Sequence, residues 1–169
     1  MNMQNKLVIV SLTLALSACA GMSDVDHKWC PPDAPVPVAS TERVNLAADA
    51  LFSFDKSSSA DLLPAGKATL DKLAVTLSEG YIQVDKISLV GHTDRLGDDK
   101  YNYRLGLRRS ETVKLYLQSQ GVTAPITTAS AGETQPTTNC PGTESTVTLR
   151  VCLQPDRRVV VDITGIRKK

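Results

Sequence analysis

Two side chains of opposite charge, Asp94 and Arg109, are the residues whose types and spacing best suit the binding of a ligand. Arg109 lies four residues after Leu105 on the apolar stripe of a predicted helix, so its guanidinium enters or borders a buried face. An unpaired charge there is costly, which leaves two interpretations: a structural ion pair, or a pocket that receives an anion. Asp94 falls in the loop before that helix, where binding residues are common. Together the two would suit a zwitterion, because a carboxylate accepts an ammonium group and a guanidinium binds a carboxylate.

The same region offers little to catalysis. His92 and Asp94 flank Thr93 in a His-x-Asp arrangement that could serve a metal ion or an acid–base pair. The second of the two histidines in the chain is His27, in a Pro-rich segment, so no set of metal ligands is completed. The sequence contains neither a Gly-x-Ser-x-Gly motif nor a glycine-rich phosphate loop. We therefore predict a binding protein that has no enzymatic activity, no metal and no cofactor.

Length and charge narrow the class of protein further. The chain has 169 residues, which suits one ordinary domain with an additional segment. It carries 19 Lys and Arg against 18 Asp and Glu, and this balance argues against a nucleic-acid-binding protein that relies on a surplus of basic residues. After residue 18, no apolar run approaches the roughly 20 residues that a membrane-spanning helix needs. These features predict a small folded domain preceded by a distinct N-terminal segment.

The N-terminus has the features of an export signal. Lys6 precedes an apolar run over residues 7–16, and small residues follow it. The sequence Leu16-Ser17-Ala18-Cys19 is similar to a bacterial lipobox, in which the cysteine becomes the lipidated first residue of the mature protein. We therefore predict a signal peptide over residues 1–18 and a lipid anchor on Cys19, because several acyl chains on one cysteine hold a protein stably at a membrane. The alternative is a plain signal peptide with an incidental cysteine.

Residues 19–43 are predicted to comprise the anchor cysteine and a tether. Four prolines fall within residues 31–37, and the segment has no periodic apolar pattern. Pro-rich chains of this kind extend at about 3.1 Å per residue. Ala20 follows the cysteine, whereas an Asp there would resemble the signal for retention at the inner membrane. We expect a protein anchored in the outer membrane by lipid, with a domain at residues 44–169 that faces the periplasm.

The hydrophobic pattern of that domain predicts alternating strands and helices. The predicted elements are a strand over 44–54, a helix over 63–79, a strand over 87–91, a helix over 101–120, a strand over 127–132 and a strand over 158–164. The order is β-α-β-α-β-β, an α+β fold. Strands joined through helices favour parallel pairing, and the two final adjacent strands suggest an antiparallel pair.

The cysteines of an exported chain are candidates for disulfide bonds. With Cys19 lipidated, three cysteines remain. Cys140 and Cys152 flank a polar loop and could join to staple it, which for a loop of this size stabilises the fold by about 3 kcal/mol in the chain-entropy model. Cys30 would then be free, or would link two chains.

The segment from Gly91 to Arg109 is similar to the central motif of the OmpA-like domains, which anchor bacterial outer membranes to peptidoglycan. That motif is a Gly-His-Thr-Asp turn, a glycine three residues on, an Asn, then a Leu and an Arg. Other segments of the chain, and the cysteine pair found in enterobacterial members, also resemble the family. The matching segments are Phe52–Asp55, Gly91–Asp94, Gly97, Asn102, Leu105, Arg109, Ser130–Pro136 and Pro155–Val159. With the lipobox, the chain resembles a small peptidoglycan-associated outer-membrane lipoprotein.

The resemblance implies both a fold and a function. The fold would be a mixed sheet with helices packed on one face. The function would be non-covalent binding of peptidoglycan through the meso-diaminopimelate of its stem peptide, which tethers the outer membrane to the cell wall. By motif position, Asp94 would pair with the ligand ammonium and Arg109 with its carboxylate, in a pocket also lined by Thr93, Asn102, Asp55 and Arg157. The alternative is a protein-interaction module that contacts other proteins of a cell-envelope complex and binds little peptidoglycan.

The predicted helix departs from the family pattern at two positions. Gly106 stands where the family usually has Ser, and Ser110 where it usually has Ala. A glycine inside a helix costs about 1 kcal/mol relative to alanine. We therefore expect Gly106 to weaken the helix without removing a residue that contacts the ligand.

Overall fold

The computed structural model describes residues 37–169. The predicted signal peptide, the lipidation site at Cys19, Cys30 and most of the predicted tether lie outside the described residues. Within residues 37–169, no helix is both long enough and apolar enough to cross a membrane.

A mixed sheet is the centre of the described part of the chain. Within it, the strands are β1 (Ser40–Ala47), β2 (Tyr81–His92), β3 (Ile126–Gly132) and β4 (Arg158–Arg167), in the spatial order β1-β4-β2-β3. Strand β4 pairs antiparallel with both β1 and β2, whereas β3 pairs parallel with β2. The predicted α+β fold with a mixed sheet is therefore confirmed.

Four helices connect these strands in the described residues: α1 (Ala48–Leu51), α2 (Pro64–Glu79), α3 (Asp99–Ser119) and α4 (Val147–Cys152). Helix α2 begins at a proline, whose fixed φ and missing N–H suit the first helical position. Helix α3 is capped by Asp98, whose side chain accepts a hydrogen bond from the Tyr101 N–H at 3.0 Å. The two long helices thus begin where local sequence signals favour a start.

Helices α2 and α3 pack against one face of the sheet and form the main hydrophobic core. The buried residues follow the helical spacing of the sequence on the helices and the alternation of strands in the sheet. They include Leu70, Leu73 and Leu77 of α2, Val113 and Leu117 of α3, and Ile87, Leu89, Val161 and Ile163 of the sheet. The expected packing of helices on one face is confirmed.

The first predicted strand is wrong at its C-terminal end. Strand β1 stops at Ala47, and α1 follows, because the Ala48 N–H donates to the Arg157 carbonyl and the chain then turns. Phe52 is buried, but Phe54 lies in an irregular segment and is exposed. The apolar residues that seemed to extend the strand belong instead to a helical turn, whose buried residues happen to continue the alternation. At the other end β1 begins at Ser40, so its first residues fall within the segment predicted as tether.

The predicted antiparallel pairing of the last two strands is also wrong. Strand β4 lies between β1 and β2, and β3 lies on the far side of β2. Adjacent strands in sequence pair readily when a short turn joins them. Here the long connection over residues 133–157, which contains α4, allows β4 to enter the sheet elsewhere. The expected parallel pairing across a helix holds for β2 and β3, whereas β1 and β2 are separated by β4.

A close contact between two glycines sets the position of α3 on the sheet. A Cβ atom on Gly91 would collide with the backbone of Gly106, and a Cβ on Gly106 would collide with the Ser130 side chain. The backbone of α3 therefore approaches β2 more closely than any side chain would allow. The expectation that Gly106 only weakens the helix is incomplete, because this packing requires a glycine there.

The predicted disulfide bond between Cys140 and Cys152 is confirmed. It joins the C-terminal end of α4 to the loop that precedes this helix. Cys140 also packs with Leu149 and Leu153 in a small hydrophobic cluster of its own, against Leu96. The disulfide and this cluster together fix α4 beside the turn that follows β2.

Candidate binding site

A cavity of about 630 Å³ lies at the edge of the sheet where β2 ends and β4 begins. The register of the sheet pairs His92 with Arg158, so Thr93 and Asp94, which follow β2, come close to Arg157, which precedes β4. Helix α3 contributes two more residues, and the loop after α1 another. The structure thus brings all the residues predicted for the pocket to one cavity: Asp55, Thr93, Asp94, Asn102, Arg109 and Arg157.

Arg157 joins two carboxylates at one side of the cavity. Its Nη1 donates to Asp94 Oδ2 at 2.6 Å, and its Nη2 and Nε donate to the Asp49 carboxylate at 2.7 and 3.0 Å. The hydrogen bonds to Asp49, together with the one to Asp94, raise the pKa of Arg157 against the effect of burial. The other oxygen of Asp94, Oδ1, accepts the Leu96 N–H at 2.9 Å. The Asp94 carboxylate is therefore held in a fixed orientation.

Arg109 is 3% exposed and lines the same cavity. Its Nε donates to the Lys56 carbonyl at 3.0 Å, and its guanidinium lies 5.7 Å from the centre of the Phe52 ring. Within residues 37–169, no carboxylate lies within 4.0 Å of it, and its terminal nitrogens have no hydrogen-bond partner. Burial lowers the pKa of Arg109. Of the two interpretations of this residue, the described contacts favour an anion pocket over a structural ion pair.

The side chains of Thr93 and Asn102 differ in their hydrogen bonding. The Thr93 hydroxyl is buried and has no hydrogen-bond partner among the described residues. Asn102 Nδ2 lies within hydrogen-bonding distance of the Asp94 carbonyl, the Leu96 carbonyl and Glu133 Oε2, the last at 2.6 Å. Asn102 therefore orders the turn that carries Asp94, whereas Thr93 lines the cavity with its hydroxyl buried and unpaired within the described residues.

Asp55 reaches the cavity from a strained backbone position. Its φ of 58° lies in the left-handed region, which Asp tolerates better than most residues. Its carboxylate accepts a hydrogen bond from the Tyr101 hydroxyl at 2.6 Å, which raises the pKa of that tyrosine. The loop after α1 is thereby tied to the first turn of α3.

Several residues that line the cavity were not predicted from the sequence. Asp49 lies in a segment predicted as a strand, where it falls on the polar face of the alternation, so no sequence signal linked it to the pocket. The contribution of α4 had no sequence signal that linked it to the pocket. The missed residues are Asp49, Phe54, Leu96, Tyr101, Leu105, Ser145, Val147, Arg150, Val151 and Gln154.

His92 does not line the cavity, so it does not form a His-x-Asp pair with Asp94 across it. The ring is buried, and its Nδ1 has no partner within the described residues. Burial, followed by the charges of Arg158 and Arg43, lowers the pKa of His92 from 6.5 to about 4. The imidazole is therefore neutral at physiological pH and belongs to the packing of the sheet.

The free energy of unfolding is expected to fall as the pH is lowered from about 6.5 to about 4. In that range the unfolded chain binds a proton at His92 and the folded chain does not, so protonation favours unfolding. The loss is on the order of 2 kcal/mol, and it is absent above pH 6.5. Denaturant titrations of the wild type at several pH values measure it. His92→Gln should flatten this dependence, whereas His27→Gln, at the other histidine, should not; equal curves for wild type and His92→Gln would contradict the assignment.

A match to a family model shows which family this chain belongs to. The model of the OmpA family matches residues 53–149, which is more than half of the chain and includes most of the cavity. The chain belongs to the OmpA family. Among curated relatives in this family, outer membrane protein A of Shigella flexneri is 39% identical over 159 residues, which cover 92% of this chain and 44% of that protein. The corresponding protein of Shimwellia blattae is 38% identical over 129 residues, covering 75% and 52%. The chain thus spans about half the length of the curated relatives it matches.

Solved structures share the OmpA-like fold. The peptidoglycan-associated lipoprotein from Burkholderia pseudomallei has a TM-score of 0.51 and 25% sequence identity, and the match covers 68% of this chain and 87% of that one. The periplasmic domain of Helicobacter pylori MotB has a TM-score of 0.57 at 18% identity, covering 74% of each chain. The second likeness concerns the fold alone.

Proposed function

We propose that this OmpA-family chain binds peptidoglycan non-covalently through the diaminopimelate of the stem peptide, and thereby tethers the outer membrane to the cell wall. The observation that carries the proposal is the buried guanidinium of Arg109, which has no carboxylate within 4.0 Å in residues 37–169 and lines a cavity with Asp94. A buried guanidinium that has one backbone hydrogen bond and no carboxylate beside it is costly, so its presence in a cavity favours an anionic group of a ligand.

The charges around the cavity suit a ligand that carries both signs. Three carboxylates and three guanidinium groups line it: Asp49, Asp55, Asp94, Arg109, Arg150 and Arg157. The carboxylate of a diaminopimelate zwitterion would be bound by the terminal nitrogens of Arg109, as a bidentate pair. Its ammonium group would lie at Asp94, whose oxygens each retain a lone pair beyond their present hydrogen bonds.

The comparisons support the same proposal. The Burkholderia pseudomallei structure that covers most of this domain is named as a peptidoglycan-associated lipoprotein. The family match spans the residues after α1, helix α3 and the start of α4. We propose a binding function without a catalytic step and without a cofactor.

A pull-down on purified peptidoglycan tests this function. We expect the purified chain to sediment with peptidoglycan, and free meso-diaminopimelate to release it. Nα-acetyl-lysine amide is the control competitor, because it keeps the side-chain ammonium group but has no free carboxylate. Absence of sedimentation would reject the proposal in favour of the alternative, a protein-interaction module in an envelope complex. Equal release by this amide would reject recognition of the zwitterion.

We further propose that residues 1–18 are a signal peptide and that Cys19 carries the lipid that anchors the chain in the outer membrane. Labelled palmitate is expected to be incorporated into the wild type and not into Cys19→Ser, because the lipobox cysteine is the acylated residue. The wild type should also fractionate with the outer membrane. Cys30→Ser is the control and should retain the label. Wild-type protein that takes up no palmitate would refute the anchor.

A further inference from the structure

Three exposed apolar side chains surround the mouth of the cavity, and we call them the apolar rim: Phe54, Val147 and Val151. They are 86%, 69% and 64% exposed, and all three line the cavity that contains Asp94 and Arg109. Val147 and Val151 lie one turn apart on α4, so they point to the same side of that helix. Clustered apolar groups in water are unfavourable unless a partner covers them, which makes such a cluster beside a cavity a candidate contact surface.

Helix α4 is held firmly in this place. The disulfide bond fixes its C-terminal end, and Leu149 packs inside the small cluster with Cys140. At its other end, Thr146 accepts the Leu149 N–H at 3.1 Å. Both terminal nitrogens of Arg157 also donate to the Arg150 carbonyl at 3.2 Å. Because Arg157 also binds Asp94, the two valines of the rim have a fixed position relative to the charged part of the cavity.

The cavity therefore has two chemically different levels. Asp94 and Arg109 are buried, whereas the apolar rim is exposed at the opening. A peptide that enters with its zwitterionic end first would place its charges on the two buried residues. The next residue of the peptide would then lie at the opening, beside the apolar rim. In the stem peptide, an alanine follows diaminopimelate.

We propose that the apolar rim is a specificity-determining subsite that contacts the methyl group of this alanine. The inference rests on the proposed function, and it adds that the chain distinguishes a peptide from a free amino acid. Transfer of one methyl-sized group out of water increases affinity about fourfold. The contact of Val147 and Val151 with that group would therefore show as a preference between two peptides that differ by one methyl group.

Calorimetric titration of the whole purified chain with two tetrapeptides tests the proposal. The probes are a stem tetrapeptide that ends in D-alanine after diaminopimelate, and the same peptide with glycine in that place. We expect the wild type to bind the alanine peptide about fourfold more tightly. In the double variant Val147→Ser/Val151→Ser, this ratio should fall to about one. Val75→Ser, at an exposed valine of α2 outside the cavity, should keep the wild-type ratio.

The possible outcomes separate this inference from the proposed function. Wild-type binding of both peptides with equal affinity would overturn the apolar rim as a subsite and leave the proposed function intact. An unchanged fourfold ratio in the double variant would overturn it as well. Failure of the wild type to bind either peptide would overturn the proposed function, and this inference with it. Because both valines are exposed, the variants should fold, and a cooperative thermal transition would verify this.

Discussion

Replacement of Arg109 by methionine is expected to abolish sedimentation with peptidoglycan while leaving the fold at least as stable as the wild type. The loss of the guanidinium leaves a ligand carboxylate without its partner in a partly desolvated cavity, which costs about 2–5 kcal/mol, or more than tenfold in affinity. Stability should not fall, since the cation has no carboxylate within 4.0 Å in the described residues and methionine retains the packing on Phe52. Pull-down and thermal unfolding of the same preparation measure the two effects.

The matched control for this prediction is Arg104→Met, on the exposed side of α3. It removes the same charge from the same helix outside the cavity and should change binding little. Comparable losses in both variants would indicate general attraction of basic residues to the glycan. A joint loss of stability and binding in Arg109→Met would instead assign Arg109 a structural role.

Replacement of Asp94 by asparagine is expected to reduce affinity for peptidoglycan by more than tenfold. The variant loses the negative charge proposed to bind the ligand ammonium, again about 2–5 kcal/mol when one partner of a desolvated pair is removed. It keeps an oxygen for the Leu96 N–H, so the turn should persist. The free energy of unfolding should fall only modestly, because Arg157 still binds Asp49 through two nitrogens. Binding isotherms and denaturant titrations test both expectations.

Asp162→Asn controls for the simple removal of an ion pair. Asp162 pairs with Arg43 at 2.7 Å on the sheet, where Arg43 is largely exposed. Surface pairs of this kind contribute about 0–1 kcal/mol, so this variant should keep nearly full stability and full binding. If Asp94→Asn and Asp162→Asn bind peptidoglycan with equal affinity, the protein-interaction alternative is favoured.

The charged residues of the candidate site were predictable from the sequence to different degrees. Helical periodicity identified Arg109 as an anomaly, because a charged side chain on an apolar stripe needs a partner. Its lack of a carboxylate could not be predicted, because the partner of a buried charge depends on tertiary packing. Thr93, Asn102, Asp55 and Arg157 came from the family resemblance alone. The register of β2 with β4 brings Thr93 close to Arg157, whereas the packing of α3 and of the loop after α1 brings Asn102 and Asp55 to the same cavity.

The remainder of the site was hidden by two features of the chain. Asp49 lies in α1, a helical turn whose buried residues imitate the alternation of a strand, so periodicity placed it in the wrong element. Helix α4 lies in a polar connection, and nothing in its sequence specifies which surface it covers. A disulfide between Cys140 and Cys152 was foreseeable from the cysteine spacing and the family, but not that it fixes a wall of the cavity.

The pairing of β1 with β4 has a mechanical consequence for the proposed tether. Strand β1 pairs with β4 from Ser40 opposite Gly165 to Ala47 opposite Arg158, so Asp49 and Arg157 lie at the end of β1 far from Ser40. In the proposed arrangement, a pulling force between the lipid anchor and the wall would enter at Ser40 and leave some 26 Å away, along the strand. The hydrogen bonds of the β1–β4 ladder lie perpendicular to that direction and would resist the force together, in shear. A strand loaded in shear is harder to separate from its sheet than one that is peeled off bond by bond.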